Sequence, residues 1–227
     1  MHHLPMAPDD LIPEQDRKLY LGLLEDMYRR IEQARTFLQP GPKQPALESA
    51  ALQLRIVIEL IVMASLVTNR AKVEEITTAL ADKSVDAARK LARNANPDYW
   101  PKADRAHDEP GKPRQLRPIE GALTEDRWNR EWGMLSDLLH ARNPFAPPLD
   151  VPAAHAKVER LGGELITLLT HHVLKLADDK GLLVGQIDPE GKVSVVELVP
   201  AGSAQAVAAV GNRKERRAAA RAKGRKK

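Results

Sequence analysis

The stretch ALESAALQLRIVIELIVMASLVTN, residues 46–69, decides the architecture that the rest of the chain must complete. It predicts a helix that is apolar on almost every side, whereas a surface helix carries a single apolar stripe. Such a helix is buried among neighbours, so we expect it at the centre of a helical core. Its most apolar run, residues 56–67, is short for a bilayer span and contains Glu59. We therefore expect a soluble, cytoplasmic protein without a membrane segment.

Four other segments have helical periodicity, and the low aromatic content of 4% also favours packed helices over a β-sandwich. The start and stop signals of these segments are helix caps and prolines. The four segments are residues 14–38, residues 73–94 with a break near Asp82, a helix capped by Thr124 and stopped by Pro144, and a helix from Pro152 to Gly181.

Two regions do not read as helix. Residues 97–123 hold five prolines and little periodicity, which predicts a long ordered or partly ordered loop. Residues 182–187 and 193–199 flank the turn signal Asp-Pro-Glu-Gly at 188–191 and predict a small β-hairpin. The expected fold is therefore mainly all-α, a bundle of about five helices with a small C-terminal β-hairpin and a basic tail.

The expected domain organisation follows from these boundaries. An N-terminal arm without an apolar run, and hence without a secretory signal, precedes the bundle. An Ala/Gly/Ser linker separates the hairpin from the tail. The segments are an arm at 1–13, the helical bundle at 14–181, the hairpin appendage at 182–200, the linker at 201–211 and the tail at 212–227.

The C-terminal tail carries the strongest functional signal. It has nine Lys or Arg and one Glu, a net charge of +8, whereas the remaining residues carry 26 basic and 30 acidic side chains, a net charge of −4. Nine cations without an apolar face predict a largely disordered segment that gains affinity for phosphates by counterion release. The alternative is a tail that only aids solubility. The predicted nucleic-acid-binding residues are Arg213, Lys214, Arg216, Arg217, Arg221, Lys223, Arg225, Lys226 and Lys227.

The end of the fourth helix holds the best candidate for catalysis. His140 lies where a helix dipole favours a protonated imidazole, and Asn143 follows it just before a proline. The alternative interpretation is a histidine that closes its helix. Arg55 and Glu59 stand four residues apart on the central helix, which predicts a salt bridge in the core. In a second interpretation Arg55 faces a polar pocket together with His140.

Few other chemistries are open to this chain. It has no cysteine, so disulfides, thiolate metal sites and cysteine nucleophiles are excluded. We recognise no phosphate loop, zinc-protease motif or dinucleotide fingerprint, and expect no cofactor and no metal. His171 and His172 are expected to point in different directions from one helix, with His172 as a core histidine. His107, near two aspartates in the proline-rich segment, is the remaining position where a metal is conceivable.

Three blocks of sequence, at residues 50–61, 96–101 and 138–145, resemble a family of bacterial helical proteins that has no established activity. More loosely, the layout is similar to HEPN-type helical domains. That resemblance implies a small, often dimeric helical bundle in a toxin–antitoxin or phage-defence system. HEPN ribonucleases carry an arginine a few residues before a histidine. Here the histidine would be His140. The nearest arginine before it in the sequence is Arg130, which is farther away than in those ribonucleases. Arg55 would therefore have to take the place of the missing arginine.

The residues and the resemblance together predict a HEPN-like helical protein that binds RNA or another polyanion through its tail. A homodimer is a further implication of the resemblance. One alternative is a metal-independent ribonuclease with His140 as general acid and base. The other alternative is a helical protein-interaction module whose tail only keeps it soluble.

Overall fold

The computed structural model describes residues 11–39, 41, 43–72, 84–107, 115–140, 145, 147–188 and 190–198. Five α-helices and one five-stranded antiparallel sheet make up this part of the chain. The mainly helical character and the C-terminal hairpin are confirmed, but the hairpin is two strands of a larger sheet. In chain order the elements are α1 (Glu14–Leu38), α2 (Gln44–Thr68), α3 (Val85–Ala95), β1 (Lys102–His107), β2 (Gln115–Pro118), α4 (Trp128–Leu139), α5 (Val151–Thr170), β3 (His171–Lys175), β4 (Leu182–Ile187) and β5 (Val193–Leu198).

Helix α2 is the central helix, as the sequence predicts. It packs against α1, α3, α4 and α5, and its inner side is fully buried, as at Leu47, Val57, Val62 and Leu66, whereas Leu52 on its outer side is 44% exposed. Among the described helices it alone is long and apolar enough to cross a membrane, with a mean hydropathy of 2.0 over its most apolar window. Of that window, 56% is already buried inside the protein, which is the situation of a core helix.

Helix α1 packs against α2 and has the predicted bounds. Its buried stripe repeats every three to four residues, and includes Tyr20, Leu24, Met27 and Ile31. The opposite side carries ion pairs between residues three or four apart, such as those of Asp26 with the two arginines that follow it. The amphipathic pattern alone therefore accounts for this helix.

The predicted loop at 97–123 is wrong, because this segment contains β1 and β2. The two strands pair antiparallel, and β1 joins the sheet in the order β2-β1-β3-β4-β5. The prolines that suggested a loop lie outside the strands or at an edge: Pro97 and Pro101 precede β1, and Pro118 ends the edge strand β2. Proline lacks an N–H donor and is tolerated at such positions.

The predicted fifth helix extends too far, because α5 ends at Thr170 and the chain continues as β3. Residues 172 and 176 fit the helical stripe of α5, but His172, Leu174 and Leu176 also alternate as a strand requires, and all three are buried. Pairing with both β1 and β4 then decides the conformation. The helical pattern was therefore ambiguous in its last part.

Smaller differences concern helix starts. The third helix is described from Val85, after a Ser84 side-chain cap, and residues 73–83 of the predicted helix lie outside the described residues. Thr124 does not cap α4 with its side chain, and a 3₁₀ turn at Glu125–Arg127 precedes that helix instead. The linker, the tail and nearly all of the N-terminal arm also lie outside the described residues.

The block at 96–101 is tied to the end of α2 by buried polar groups. Ser65 donates a hydrogen bond to the Tyr99 carbonyl at 2.7 Å, and the Asn69 amide donates to the Ser65 carbonyl at 2.7 Å. Asn96 in turn donates to the Lys175 carbonyl at 2.7 Å. These bonds connect α2 to the end of β3, so the block has a structural role.

A buried hydrogen bond connects α1 to the sheet. The Tyr20 hydroxyl lies 2.7 Å from His172 Nε2, and His172 Nδ1 lies 3.2 Å from the Leu169 carbonyl. The carbonyl can only accept, so Nδ1 carries the proton and Nε2 accepts from Tyr20. Gly185 makes room for the ring, because a Cβ there would lie 2.2 Å from the imidazole. The predicted core histidine is confirmed, but on a strand.

This pair predicts a pH dependence of stability. Burial lowers the pKa of His172 from 6.5 to about 4, partly offset by the Leu169 carbonyl. Between these pH values the unfolded chain binds a proton that the folded chain does not. The free energy of unfolding should therefore fall as pH drops from about 6.5 to about 4, by at most about 3 kcal/mol. Denaturant unfolding of the wild type and of His172→Gln from pH 7 to pH 5 measures this.

His172→Gln keeps a hydrogen-bonding group but cannot titrate, so its stability should be lower at neutral pH and flatter below it. The pKa of His171 is also lowered, first by burial and then by Arg105, but His171 is present in both proteins and cancels in the comparison. If the free energy of unfolding of the two proteins changed with pH in parallel, titration of His172 would not be the cause of the pH dependence.

Candidate functional site

Two tryptophans of α4 and two arginines form a continuous stack, which we call the arginine–tryptophan ladder. Trp128 and Trp132 are one helical turn apart, with ring centroids separated by 5.8 Å and planes within 6°. Arg89 of α3 lies over Trp128 at 4.9 Å, and Arg55 of α2 lies over Trp132 at 4.6 Å. The ladder joins three helices through aromatic and cation–π contacts.

Arg55 and Glu59 form the predicted pair, with 3.2 Å between Arg55 Nε and Glu59 Oε1. Glu59 also accepts a hydrogen bond from Trp132 Nε1 at 3.2 Å. The predicted burial in the core is wrong, because the two side chains are 27% and 26% exposed. They lie at the margin of the α2–α4 contact, where Trp132 covers only part of α2.

His140 closes α4. Its backbone N–H donates to the Ser136 carbonyl at 3.1 Å, and its Nδ1 lies 2.6 Å from the same oxygen. This second bond places the proton on Nδ1 and leaves Nε2 on an exposed imidazole. The helix-closing interpretation of the sequence therefore agrees with the geometry.

The residues predicted to act together are not brought together in the described part of the chain. There, Arg55 contacts Glu59 and Trp132, and neither a hydrogen bond nor an ion pair joins it to His140. Asn143 lies outside the described residues, as do all nine cations of the tail. No contact among the described residues therefore supports the predicted polar pocket shared by Arg55 and His140.

A buried carboxylate that the sequence reasoning missed is the electrostatic centre between α4 and α5. Glu131 is 2% exposed and pairs with Arg127 and Arg130 at 2.9 Å and with Arg160 at 3.2 Å. Burial alone would raise the pKa of Glu131, but the three arginines hold it below its ordinary value. The four-residue spacings of Arg127 with Glu131 and of Arg160 with Glu164 were the available signals.

Most other arginines of the described helices are also neutralised by acidic neighbours. Some of these arginines pair with a residue three or four positions away on the same helix, and others pair with a residue of another element. The pairs are Arg29 and Arg30 with Asp26, Arg35 with Glu32, Arg70 with Asp16, Arg89 with Asp86, and Arg93 with Glu125. The helical body therefore presents few uncompensated arginines.

The described residues contain no group of three or more His, Asp or Glu side chains that could hold a metal ion. The side chains of His107 and Asp108 fall outside what the structure describes, whereas Asp104 is described. A groove of about 570 Å³ beside Trp100 is lined by prolines and acidic residues. Its Asp98 and Glu125 are already engaged by cations.

No family model, curated protein or solved structure matches the chain. The likeness of the three sequence blocks to a bacterial helical family, and the looser likeness of the helical layout to HEPN-type domains, therefore stay predictions. The five-stranded sheet is a feature that this likeness did not lead us to expect.

The contrast between the two glutamates predicts unequal stability losses. Glu131→Ala removes a buried carboxylate that three arginines share, although Arg127 and Arg160 keep Glu164 as a second partner, and should lower the free energy of unfolding by about 3 kcal/mol. Glu59→Ala removes a partly exposed partner of Arg55 and Trp132 and should cost about 1 kcal/mol. Urea unfolding at neutral pH measures both. Glu131→Gln and Glu59→Gln keep an acceptor and serve as matched controls with smaller losses. Equal costs for the two alanine variants would contradict this assignment.

Proposed function

We propose that the protein binds RNA, or a polyanion of similar chemistry, through its C-terminal tail at residues 212–227. The observation that carries the proposal is the segregation of charge, with a net +8 in the tail against a net −4 in the remaining chain. Dense lysine and arginine gain affinity for a phosphate backbone because they release its condensed counterions. The tail has no aromatic residue, so its contribution is independent of base sequence.

The ion pairing of the helical body supports this division of roles. A cation that already faces a carboxylate gains less from a phosphate, because binding would have to replace an existing partner. The arginines around Glu131 and those on α1 are in this state. The tail, in contrast, has one glutamate for nine cations, so its charge is available to a polyanion.

Binding is favoured over cleavage by the surroundings of His140. A metal-independent ribonuclease needs a histidine that exchanges a proton and a cation that stabilises the phosphate. In the structure, His140 Nδ1 is bonded to the end of its own helix, and Arg55 is held by Glu59 and Trp132. The defence or toxin–antitoxin context, the homodimer and the cytoplasmic location implied earlier remain predictions.

Removal of the tail tests the proposal. A chain that ends at residue 211 should keep its melting temperature, because the only apolar side chains of the tail are four alanines, which are too small to form a core. Its affinity for a single-stranded RNA should fall at least about tenfold near 0.1 M salt, with a shallower dependence of log affinity on log salt. Fluorescence anisotropy at several salt concentrations measures both quantities.

A full-length control with all nine tail cations replaced by glutamine should behave like the truncated chain. A second control with the tail residues in shuffled order should bind like the wild type. Unchanged affinity and salt slope after truncation would refute the tail as the anchor. If neither the wild type nor the controls bind RNA, the tail serves solubility alone.

Substitution of His140 separates binding from catalysis. We expect purified wild type and His140→Ala to bind RNA equally and to cleave neither folded nor unstructured RNA in the presence of a chelator. His155→Ala is a matched control, since His155 also lies within hydrogen-bonding distance of a backbone carbonyl, that of Leu38 at 3.1 Å. Cleavage that is lost in His140→Ala but retained in His155→Ala would establish the ribonuclease alternative.

A further inference from the structure

A second cleft lies where α1, the end of α5 and the β4–β5 turn meet. Its volume is about 540 Å³, which is within the range of ligand pockets. Tyr28 of α1 forms one wall, and His171, Gln186 and Ser194 form another. Lys192 lies at the turn and is exposed. We call this cavity the hairpin cleft.

Three polar side chains of the hairpin cleft form a row across three adjacent strands. His171 of β3 is directly opposite Gln186 of β4, and Gln186 is directly opposite Ser194 of β5. Cross-strand neighbours have their Cβ atoms about 5 Å apart, so the three groups can address one small ligand together. Within the described part of the chain, none of these side chains makes a hydrogen bond, and neither does the Tyr28 hydroxyl.

The row offers both donors and acceptors without a charge. Burial and the nearby Arg105 lower the pKa of His171, so the imidazole is neutral at neutral pH, with one N–H donor and one acceptor. The Gln186 amide likewise provides both kinds of group, and the Ser194 hydroxyl adapts to either role.

The charged residues of the cleft compensate one another. Arg35 is paired with Glu32 at 2.8 Å. The Asp188 carboxylate balances the charge of Lys192 and accepts the backbone N–H of Lys192 at 2.8 Å. A cleft without excess positive charge suits an uncharged polar ligand better than a free phosphate.

The turn also fixes the aromatic wall. Gly191 has φ +82°, and a Cβ there would lie 2.6 Å from the Tyr28 ring. The glycine therefore serves both the turn geometry and the close approach to Tyr28. Because the turn presses against the ring, Tyr28 is held in place beside the polar row.

We propose that the hairpin cleft binds a single unstacked RNA base, an inference that rests on the proposed function of the tail. A base is flat and uncharged and carries donors and acceptors along one edge, which matches an aromatic side chain beside a neutral polar row. The tail supplies affinity for the backbone, and the cleft supplies the base preference that the tail lacks.

The geometry of the chain allows both parts to hold one RNA strand. The strand β5, Val193–Leu198, leads away from the cleft over about 17 Å. Residues 199–211 can span up to about 45 Å when extended, so the tail can reach back past the cleft.

The test uses the full chain with two kinds of probe. Free nucleosides have no phosphate for the tail, so amide NMR shifts of the Gln186 side chain report on the cleft alone. Homopolymeric A, C and U oligoribonucleotides report on the cleft and the tail together. We expect one nucleoside to shift the Gln186 signal and the matching oligonucleotide to bind about tenfold more tightly than the others.

Ser194→Phe should fill the cleft and Gln186→Leu should remove its central amide, and both should abolish the base preference while keeping tail-dependent affinity. Val196→Phe is the matched control, since Val196 is exposed on the same face of β5 but does not line the cleft. If RNA binds without base preference and the variants leave its affinity unchanged, base binding in the cleft is overturned and the proposed role of the tail is retained. Nucleoside shifts without oligonucleotide binding would overturn the tail and leave the cleft. If no nucleoside shifts the Gln186 signal, base binding in the cleft is overturned, whether or not RNA binds to the tail.

Discussion

Helix α2 is apolar on almost every side, and the need to cover it sets the arrangement of the other helices. A single neighbour can cover only one side of such a helix, so α1, α3, α4 and α5 are arranged around it. The burial of apolar area provides the driving force for this arrangement. The two charged residues in the middle of α2, Arg55 and Glu59, are partly exposed, and Trp132 contacts both by stacking on Arg55 and donating a hydrogen bond to Glu59.

The sheet is attached to this helical core by a few buried polar contacts in addition to apolar packing. Tyr20 and His172 connect α1 to β3, and the Asn69 and Asn96 amides connect the end of α2 to the other end of β3. Buried polar groups are costly when unpaired, so these contacts favour one position of the sheet over nearby alternatives. The sheet in turn places the row at His171 beside Tyr28, where it lines the hairpin cleft.

Charge is distributed unequally between the helical body and the tail. The helical body uses its arginines internally, and the clearest example is Glu131 with three arginines around it. The tail concentrates cations with a single acidic residue. In the function that we propose, the tail attracts the backbone of an RNA, and the neutral hairpin cleft takes a base. This division separates affinity, which charge provides, from discrimination, which needs directional hydrogen bonds.

The long helices and the charge of the tail can be predicted from the residues alone, since both depend on local composition and periodicity. The bounds of α1, the central place of α2 and the hairpin at β4 and β5 follow from periodicity and turn residues alone. The β1–β2 strands, the change from α5 to β3 and the burial of Glu131 were decided by tertiary structure. Residues 171–176 satisfy both a helical and a strand pattern, and only pairing with β1 and β4 selects the strand. The hairpin cleft likewise depends on strand register, which relates residues far apart in the chain and which no local pattern encodes.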